Sequence, residues 1–490
     1  MTADPPSNLA GRVAPAEASE PAVPLAVELQ GTLVATNLLI ESLFVLAKRS
    51  PLRLLLVPFW VAKGRRRLER ELARAAMPDA GALPYRHDLL AHLEAEKRRG
   101  TPLVLVTAAD RALADAIARH LGLFDLVLAS DGETLAGERR RDRLVAEFGA
   151  HGFDYAGSGD SARALWSAAR RAVVIAPPGR PAASIAGPAP VARVFPDQRA
   201  GPGLYLAALR PHQWLKNALV LLPLLATHQI YELDLLWRAL MTLAAFSLCA
   251  SSAYLLNDLL DLSSDRHHPR KRQRALASGR LPLAHALALS PLLLGAGLAI
   301  GALLGPPFAG VLALYYVLTL AYSLRLKDLA ILDLLALAGL YTLRVMAGSV
   351  AFAIPPSAWL LALCVFLFFS LALVKRYAEL VAMSRIEGAS AHARAYLLED
   401  RELLAALGGA SGYLSVLVLA LYITSDAAPS PHPRYQLIWL VCGLLLYWIS
   451  YMWLMAHRGR MHDDPLVFAL RDRVSQVVIA LMAAALLVAT

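Results

Sequence analysis

From residue 204 onward the chain alternates long apolar runs with short charged loops, and that alternation leaves few folds open. The runs lie near 213–228, 236–256, 281–303, 307–323, 329–352, 358–374, 404–424, 435–456 and 473–489. About 20 apolar residues in a helix cross the hydrocarbon core of a bilayer. Inside lipid every backbone N–H and C=O must find its partner within the protein, and a helix meets that demand by itself. The pattern predicts a multi-pass α-helical membrane protein with about nine transmembrane helices. Hydrophobic residues make up 57% of the 490, which excludes an ordinary soluble enzyme. The formal charge is +10, but the basic residues fall between apolar runs and do not interleave with aromatics in a soluble patch. Nucleic acid is therefore not an expected partner, whereas the lipid bilayer is.

Lysine and arginine gather in alternate loops: Arg266 to Arg280, Arg325 with Lys327, Lys375 to Arg401, and Arg458 to Arg473. The intervening loops hold almost only Arg238 and Arg434. Cytoplasmic loops carry the basic excess, so these four are expected on the cytoplasmic face of the cell (inner or plasma) membrane, with the C-terminus outside. The first residues show no basic stretch followed by an apolar one, so no cleavable signal peptide is evident and the N-terminus is expected in the cytoplasm. Cys249, Cys364 and Cys442 each sit in a separate apolar run, without metal-like spacing, and read as packing residues.

The N-terminal third has another texture. Residues 1–22 are Ala/Pro-rich and read as disordered, 23–177 alternate short apolar strands with helical periods, and 178–203 form a Pro/Gly/Ala-rich linker. An α/β Rossmann-like soluble domain is predicted for 23–177. Within it, Leu38–Ala62 is apolar enough to touch lipid, but Glu41, Lys48, Arg49, Pro51 and Arg53 interrupt it. A buried or interfacial helical hairpin is expected there in place of a span.

The densest chemistry is Asn257-Asp258-Leu-Leu-Asp261-Leu-Ser-Ser-Asp265, leading into a basic string that contains Arg266, Lys271 and Arg272. On a helix, spacings of three and four put the carboxylates of Asp258, Asp261 and Asp265 on one face. Unpaired they would repel, and a divalent cation resolves the repulsion. Carboxylate oxygens are hard ligands suited to Mg²⁺, or Mn²⁺ in its place, with phosphate oxygens of a substrate completing the shell. The plainer alternative is a charged loop serving solvation and topology. A second cluster runs from Tyr322 through Lys327 to Asp333; Lys327 could hold a phosphate as a point charge, and Asp333, at a helix start, a second cation or a substrate hydroxyl. Arg210, Trp214, Lys216 and Asn217 precede the first run and combine an interfacial tryptophan with phosphate-binding charge. Arg344 stands about ten residues into a span, where a guanidinium normally lines a polar interior. Lys375 to Glu379 and His462-Asp463-Asp464 begin two further loops that could cap a cavity; a solvated loop is the safer reading of the second.

Residues 204 to 490 resemble the UbiA superfamily of intramembrane prenyltransferases: NDLLDLSSD is similar to its first Asp-rich signature and LRPHQWLKN to its first helix. RPHQWLKN, YSLRLKDLAILD, LYTLRVMAGSVA, KRYAEL and HDDPLVFALRD look most like the branch of decaprenyl-phosphate phosphoribosyltransferases. The resemblance implies a transferase that uses a polyprenyl phosphate and a diphosphate-bearing co-substrate. Asp258, Asp261, Lys327, Asp333 and Arg344 would be catalytic, with Asp258, Asp261 and Asp265 on the metal. Arg210, Lys216, Asn217, Asn257, Arg266, Lys271, Arg272 and Tyr322 would bind substrate. The second Asp signature of the aromatic prenyltransferases is commonly DxxxD, whereas here Asp328 and Asp333 are five apart. Transfer of a prenyl group to an aromatic acceptor is the alternative implied by the wider superfamily, and a membrane scaffold the alternative of another class. A transporter is disfavoured because no paired broken helices recur.

Val27-Glu28-Leu29-Gln30-Gly31-Thr32 resembles the DxDGT loop of haloacid-dehalogenase-like (HAD-like) phosphatases, with both aspartates replaced. Thr107 matches the second motif, Arg140 stands where that family has Lys, and Asp160 remains from the acidic fourth motif, where Ala162 replaces a metal-binding Asp. The resemblance implies a degenerate HAD-like domain serving as a regulatory, scaffolding or phosphate-sensing module. A phosphatase acting on the transferase's product is the alternative.

Overall fold

The computed structural model describes residues 23–159, 162–197, 201–226, 233–268, 270–384, 392–393, 395–425, 437–461 and 464–489. Two compact units divide the chain near residue 200, with Ala47–Pro51 grouped with the second.

The first unit is built on six parallel strands, β1 (Leu25–Glu28), β2 (Leu103–Asp110), β3 (Leu126–Ser130), β4 (Asp154–Ser158), β5 (Ala172–Ala176) and β6 (Val191–Pro196), in the order β3-β2-β1-β4-β5-β6. Strands buried on both faces read as continuous apolar runs, and β1 and β5 are buried throughout. Val27, Leu105 and Ile175 enter one core layer, while Ala26, Val104, Val174 and the buried Trp166 enter the other. The strand order reverses between β1 and β4, and the C-terminal ends at such a switch point are where sheets of this kind bind ligands. Glu28 closes β1 at that position.

The stretch expected to be a linker, 178–203, is in large part folded. Ala182–Ala186 is helical and Val191–Pro196 extends the sheet beside β5. Proline richness hid this strand, but an edge strand tolerates proline at its ends. Phe195 packs into the core and Arg86 pins the strand's end through Asp197 at 2.7 Å. Leu38–Ala62 breaks at Pro51 into a helix Leu38–Arg49, a 3₁₀ turn Pro51–Leu56 and a helix Val57–Ala62.

Among the described residues of the second unit, seven helices are long and apolar enough to cross a membrane: Leu233–Leu260, Leu283–Leu304, Pro306–Leu324, Leu332–Ala351, Ala358–Met383, Leu398–Thr424 and Ile438–His457. The other two expected runs are shorter elements among the described residues. The run expected near 213–228 falls on a 3₁₀ helix, Pro211–Leu221, followed by Leu222–Ala226, with 227 and 228 outside the described residues, and Arg473–Ala489 has 17 residues. Small residues let the helices approach, since lipid supplies no hydrophobic drive between them. At Gly348 an added Cβ would meet the Val220 carbonyl oxygen at 1.9 Å, and at Gly297 the Cys249 sulfur at 2.6 Å. The first contact seats the Pro211–Leu221 segment against the Leu332–Ala351 helix.

Candidate active site of the membrane unit

Helix Leu233–Leu260 ends where the carboxylate signature begins. Asp258 lies in its last turn, Asp261 caps the next short helix, Leu262–His267, and Asp265 sits within that helix. The break at Asp261 separates three acids expected on one helical face. Asp258 accepts hydrogen bonds from Arg210 at 2.5 Å and Arg274 at 3.1 Å, and Arg274 reaches Asp265 at 2.6 Å. Asp261 instead takes Lys327, whose Nζ lies 2.8 and 2.7 Å from its two oxygens. Burial works against the charge on Asp261, but Lys327 holds its carboxyl below the ordinary value; burial outweighs Arg274 at Asp265 and raises that one.

Among the described residues no three carboxylate, imidazole or thiolate groups converge on a metal position. Two carboxylates do converge, Asp258 and Asp265, on the single Nη1 of Arg274. Oxygen donors gathered around one cationic group fit a divalent cation by chemistry, provided that Arg274 turns to the ligand's own anionic groups.

The Pro211–Leu221 segment joins this cluster to the interior. Arg210, left-handed at φ 54°, precedes it and pairs with Asp258. That conformation costs a non-glycine residue about 1–2 kcal/mol. Trp214 donates to Ser251 at 2.9 Å, Lys216 binds Asp464 at 2.7 Å, and Asn217 accepts from Arg344 at 3.1 Å. Arg344 is buried and satisfied: it donates also to the Tyr315 hydroxyl at 2.8 Å and lies over the Tyr315 and Tyr341 rings. Asp464 is the residue that sequence reasoning undervalued. Read as a solvated loop position, it has a side chain only 8% exposed, takes Lys216 and Lys375, accepts from Tyr341, and caps the helix Pro465–Arg471. Burial opposes its charge, yet the two lysines hold its carboxyl well below the carboxylate range. Arg274 was likewise submerged in its basic string, and only its two bonds single it out. His462 and Asp463 lie outside the described residues.

Asp333 has other partners than a cation. Fully buried, it accepts from Arg376 at 2.7 Å and from Tyr396 at 2.6 Å, while Arg376 also binds Glu379 and Tyr322. Its carboxylate serves a buried network that ties three helices and a loop, so the side chain expected to take a second cation or a substrate hydroxyl is here ion-paired to Arg376. Asn257 is half-buried beside Asp258, Arg266 donates to the Ala277 carbonyl at 2.9 Å, Lys271 is half-buried and Arg272 is exposed.

Residues 218–488 match the model of the UbiA prenyltransferase family. The chain belongs to the UbiA prenyltransferase family. As such it is a multi-pass membrane protein of a transferase superfamily. Residues 16–174 match the haloacid dehalogenase-like hydrolases, so the UbiA unit follows a HAD-like one. An uncharacterized protein, y4nM, of Sinorhizobium fredii is 35% identical over 95% of this chain and 91% of its own length. Nodulation protein NoeC of Azorhizobium caulinodans is 36% identical over 56% of this chain and 89% of itself. Decaprenyl-phosphate phosphoribosyltransferase of Mycolicibacterium smegmatis is 40% identical over 184 residues, 37% of this chain and 58% of that protein.

In the HAD-like unit, Glu28 is buried and bound to Arg140 at 2.5 Å, with Thr32 donating to its other oxygen at 3.4 Å. Thr107 is buried and accepts from the Ala109 N–H at 3.0 Å, Gln30 is half-buried in the turn that follows β1, and Ala162 is buried. Asp160 lies outside the described residues.

Proposed function

We propose that the UbiA unit transfers a phosphoribosyl group from phosphoribosyl diphosphate to a polyprenyl phosphate such as decaprenyl phosphate, on the cytoplasmic side of the cell membrane. The observation that carries this reading is the run Arg210, Lys216 and Asn217, which links the Asp258–Asp265 cluster to Asp464 and buried Arg344. Cationic groups suited to two phosphate-bearing substrates line one connected site, and the similarity to a decaprenyl-phosphate phosphoribosyltransferase supports the choice of substrates.

Asp258 and Asp265, with Asp261 beside them, would hold Mg²⁺ or Mn²⁺. A cation bound there neutralises the diphosphate that leaves. Arg210 and Arg274 are placed to exchange a carboxylate for a phosphate oxygen, which planar guanidinium groups bind bidentately. Lys327 steadies the same anion through its position on Asp261. An oxygen of the lipid phosphate attacks the anomeric carbon, the bond to diphosphate breaks, and diphosphate departs with its electron pair. Lys216 and Lys375, gathered on Asp464, hold the attacking phosphate, and Arg344 sets the polar wall through Asn217 and Tyr315.

On this reading the HAD-like unit performs no phosphoryl transfer of its own. Glu28 carries an extra methylene relative to the family's nucleophile and is neutralised by Arg140, and Gln30 cannot exchange a proton.

The test incubates full-length protein in detergent with Mg²⁺ and radiolabelled phosphoribosyl diphosphate plus decaprenyl phosphate, and in parallel with a prenyl diphosphate plus 4-hydroxybenzoate. Label entering the lipid phase from the sugar diphosphate, lost in Asp258→Asn and Asp261→Asn, is the expected result. Product only from the second pair would replace this reaction by aromatic prenylation.

A further inference from the structure

In the HAD-like unit the stretch 51–62 is apolar on both sides. Leu54, Val57 and Trp60 turn inward against the cluster of Leu46, Leu72 and Ala76. Leu52, Leu55, Leu56 and Phe59 point outward, with Leu52 80% and Phe59 67% exposed. Their spacing of three, four and seven makes one continuous helical stripe, and no residue of either element is buried. A soluble domain seldom leaves such a stripe bare unless a partner covers it.

Charge identifies the partner. Between Glu41 and Glu69 there is no carboxylate, whereas Lys48, Arg49, Arg53, Lys63, Arg65, Arg66 and Arg67 all fall in that interval. An outward apolar stripe bordered by Arg53, Lys63 and Arg66, with Arg65 and Arg67 beside them paired to Glu69 and Glu71, suits the boundary between headgroups and acyl chains, where cations are drawn to an anionic surface. The chain also brings the bilayer within reach. Asp197 is the last described residue of the first unit and Pro202 begins the next helix, and five peptide units extend at most about 18 Å.

We propose that Leu52, Leu55, Leu56 and Phe59 insert into the bilayer that holds the membrane unit, with the basic border on anionic lipid phosphates. The HAD-like unit is thereby a peripheral membrane module. This does not depend on the reaction assigned to the UbiA unit.

The test places a nitroxide at Phe59→Cys, and separately at Leu55→Cys, in full-length protein reconstituted into phosphatidylcholine liposomes with or without phosphatidylglycerol. Arg98→Cys, an exposed site on another helix, is the aqueous reference. Unsubstituted protein, whose three cysteines are buried, is the labelling blank. Expected is a label open to dissolved oxygen but roughly 10-fold less accessible to an aqueous nickel chelate than the reference. Adding Arg65→Glu, Arg66→Glu and Arg67→Glu is expected to abolish the gain from phosphatidylglycerol. A label as open to the chelate as the reference overturns the proposal. A label shielded from both reagents also overturns it, because protein and not lipid would then cover the stripe.

Discussion

At the scale of single residues, the site is a set of charges, most of them held by opposite charges, with buried Arg344 held by the Asn217 and Tyr315 side chains and the Leu340 carbonyl. Removing one partner of a buried pair leaves the other uncompensated and costs about 3–5 kcal/mol. Asp464→Asn strands Lys216 and Lys375 together, so a lower melting temperature and at least a ~10-fold loss of transfer are expected. Its pH dependence follows from the sign of the shift. A carboxyl held below its ordinary value stabilises the fold fully above the unfolded value, near 4, and loses that contribution as pH falls toward the folded value. The melting-temperature gap between wild type and Asp464→Asn is therefore expected to stay constant from pH 7 to about 5 and to narrow below about 4. A gap that widened on acidification would contradict the assignment of Asp464 as a paired carboxylate. Asp333→Asn likewise removes a buried partner and leaves Arg376 with Glu379 and Tyr322; loss of folded protein, seen as aggregation on size exclusion, is expected before any specific loss of activity.

At the scale of elements, the proposed transfer is expected to depend on how closely the Pro211–Leu221 segment lies against the Leu332–Ala351 helix. Gly348 makes that approach possible, whereas Gly339 on the same helix has only a methyl of Leu318 at 4.0 Å from an added Cβ. Gly348→Ala is expected to push away the segment that carries Lys216 and Asn217, lowering both stability and transfer. Gly339→Ala is expected to be neutral or stabilising by up to about 1 kcal/mol, since alanine favours the helix. Thermal unfolding and label transfer of the two variants decide this, and equal behaviour would show that the contact is dispensable.

At the scale of the whole molecule, the UbiA unit is assigned the transfer and the HAD-like unit none. Glu28→Ala removes the partner of buried Arg140, so it is expected to lower the stability of the HAD-like unit while phosphate release stays at background and transfer stays within about two-fold of wild type. Phosphate release that disappears in Glu28→Ala would restore a phosphatase. Much of the architecture was legible in the chain, because apolar periodicity reports where residues must be buried. The multi-pass helical character, the Asp258–Asp265 signature and the β1 loop with its missing aspartates could all be read from residue order. Proline concealed β6, because composition does not register that an edge strand needs few donors. The partners were decided only by the tertiary structure. That Arg274 bridges Asp258 and Asp265 is set by how one short loop folds back, whereas the pairing of Asp333 with Arg376 and of Asp464 with two lysines depends on helices distant in sequence. A charge pattern shows where cations and anions are available; which of them meet, and at what desolvation, is set by packing.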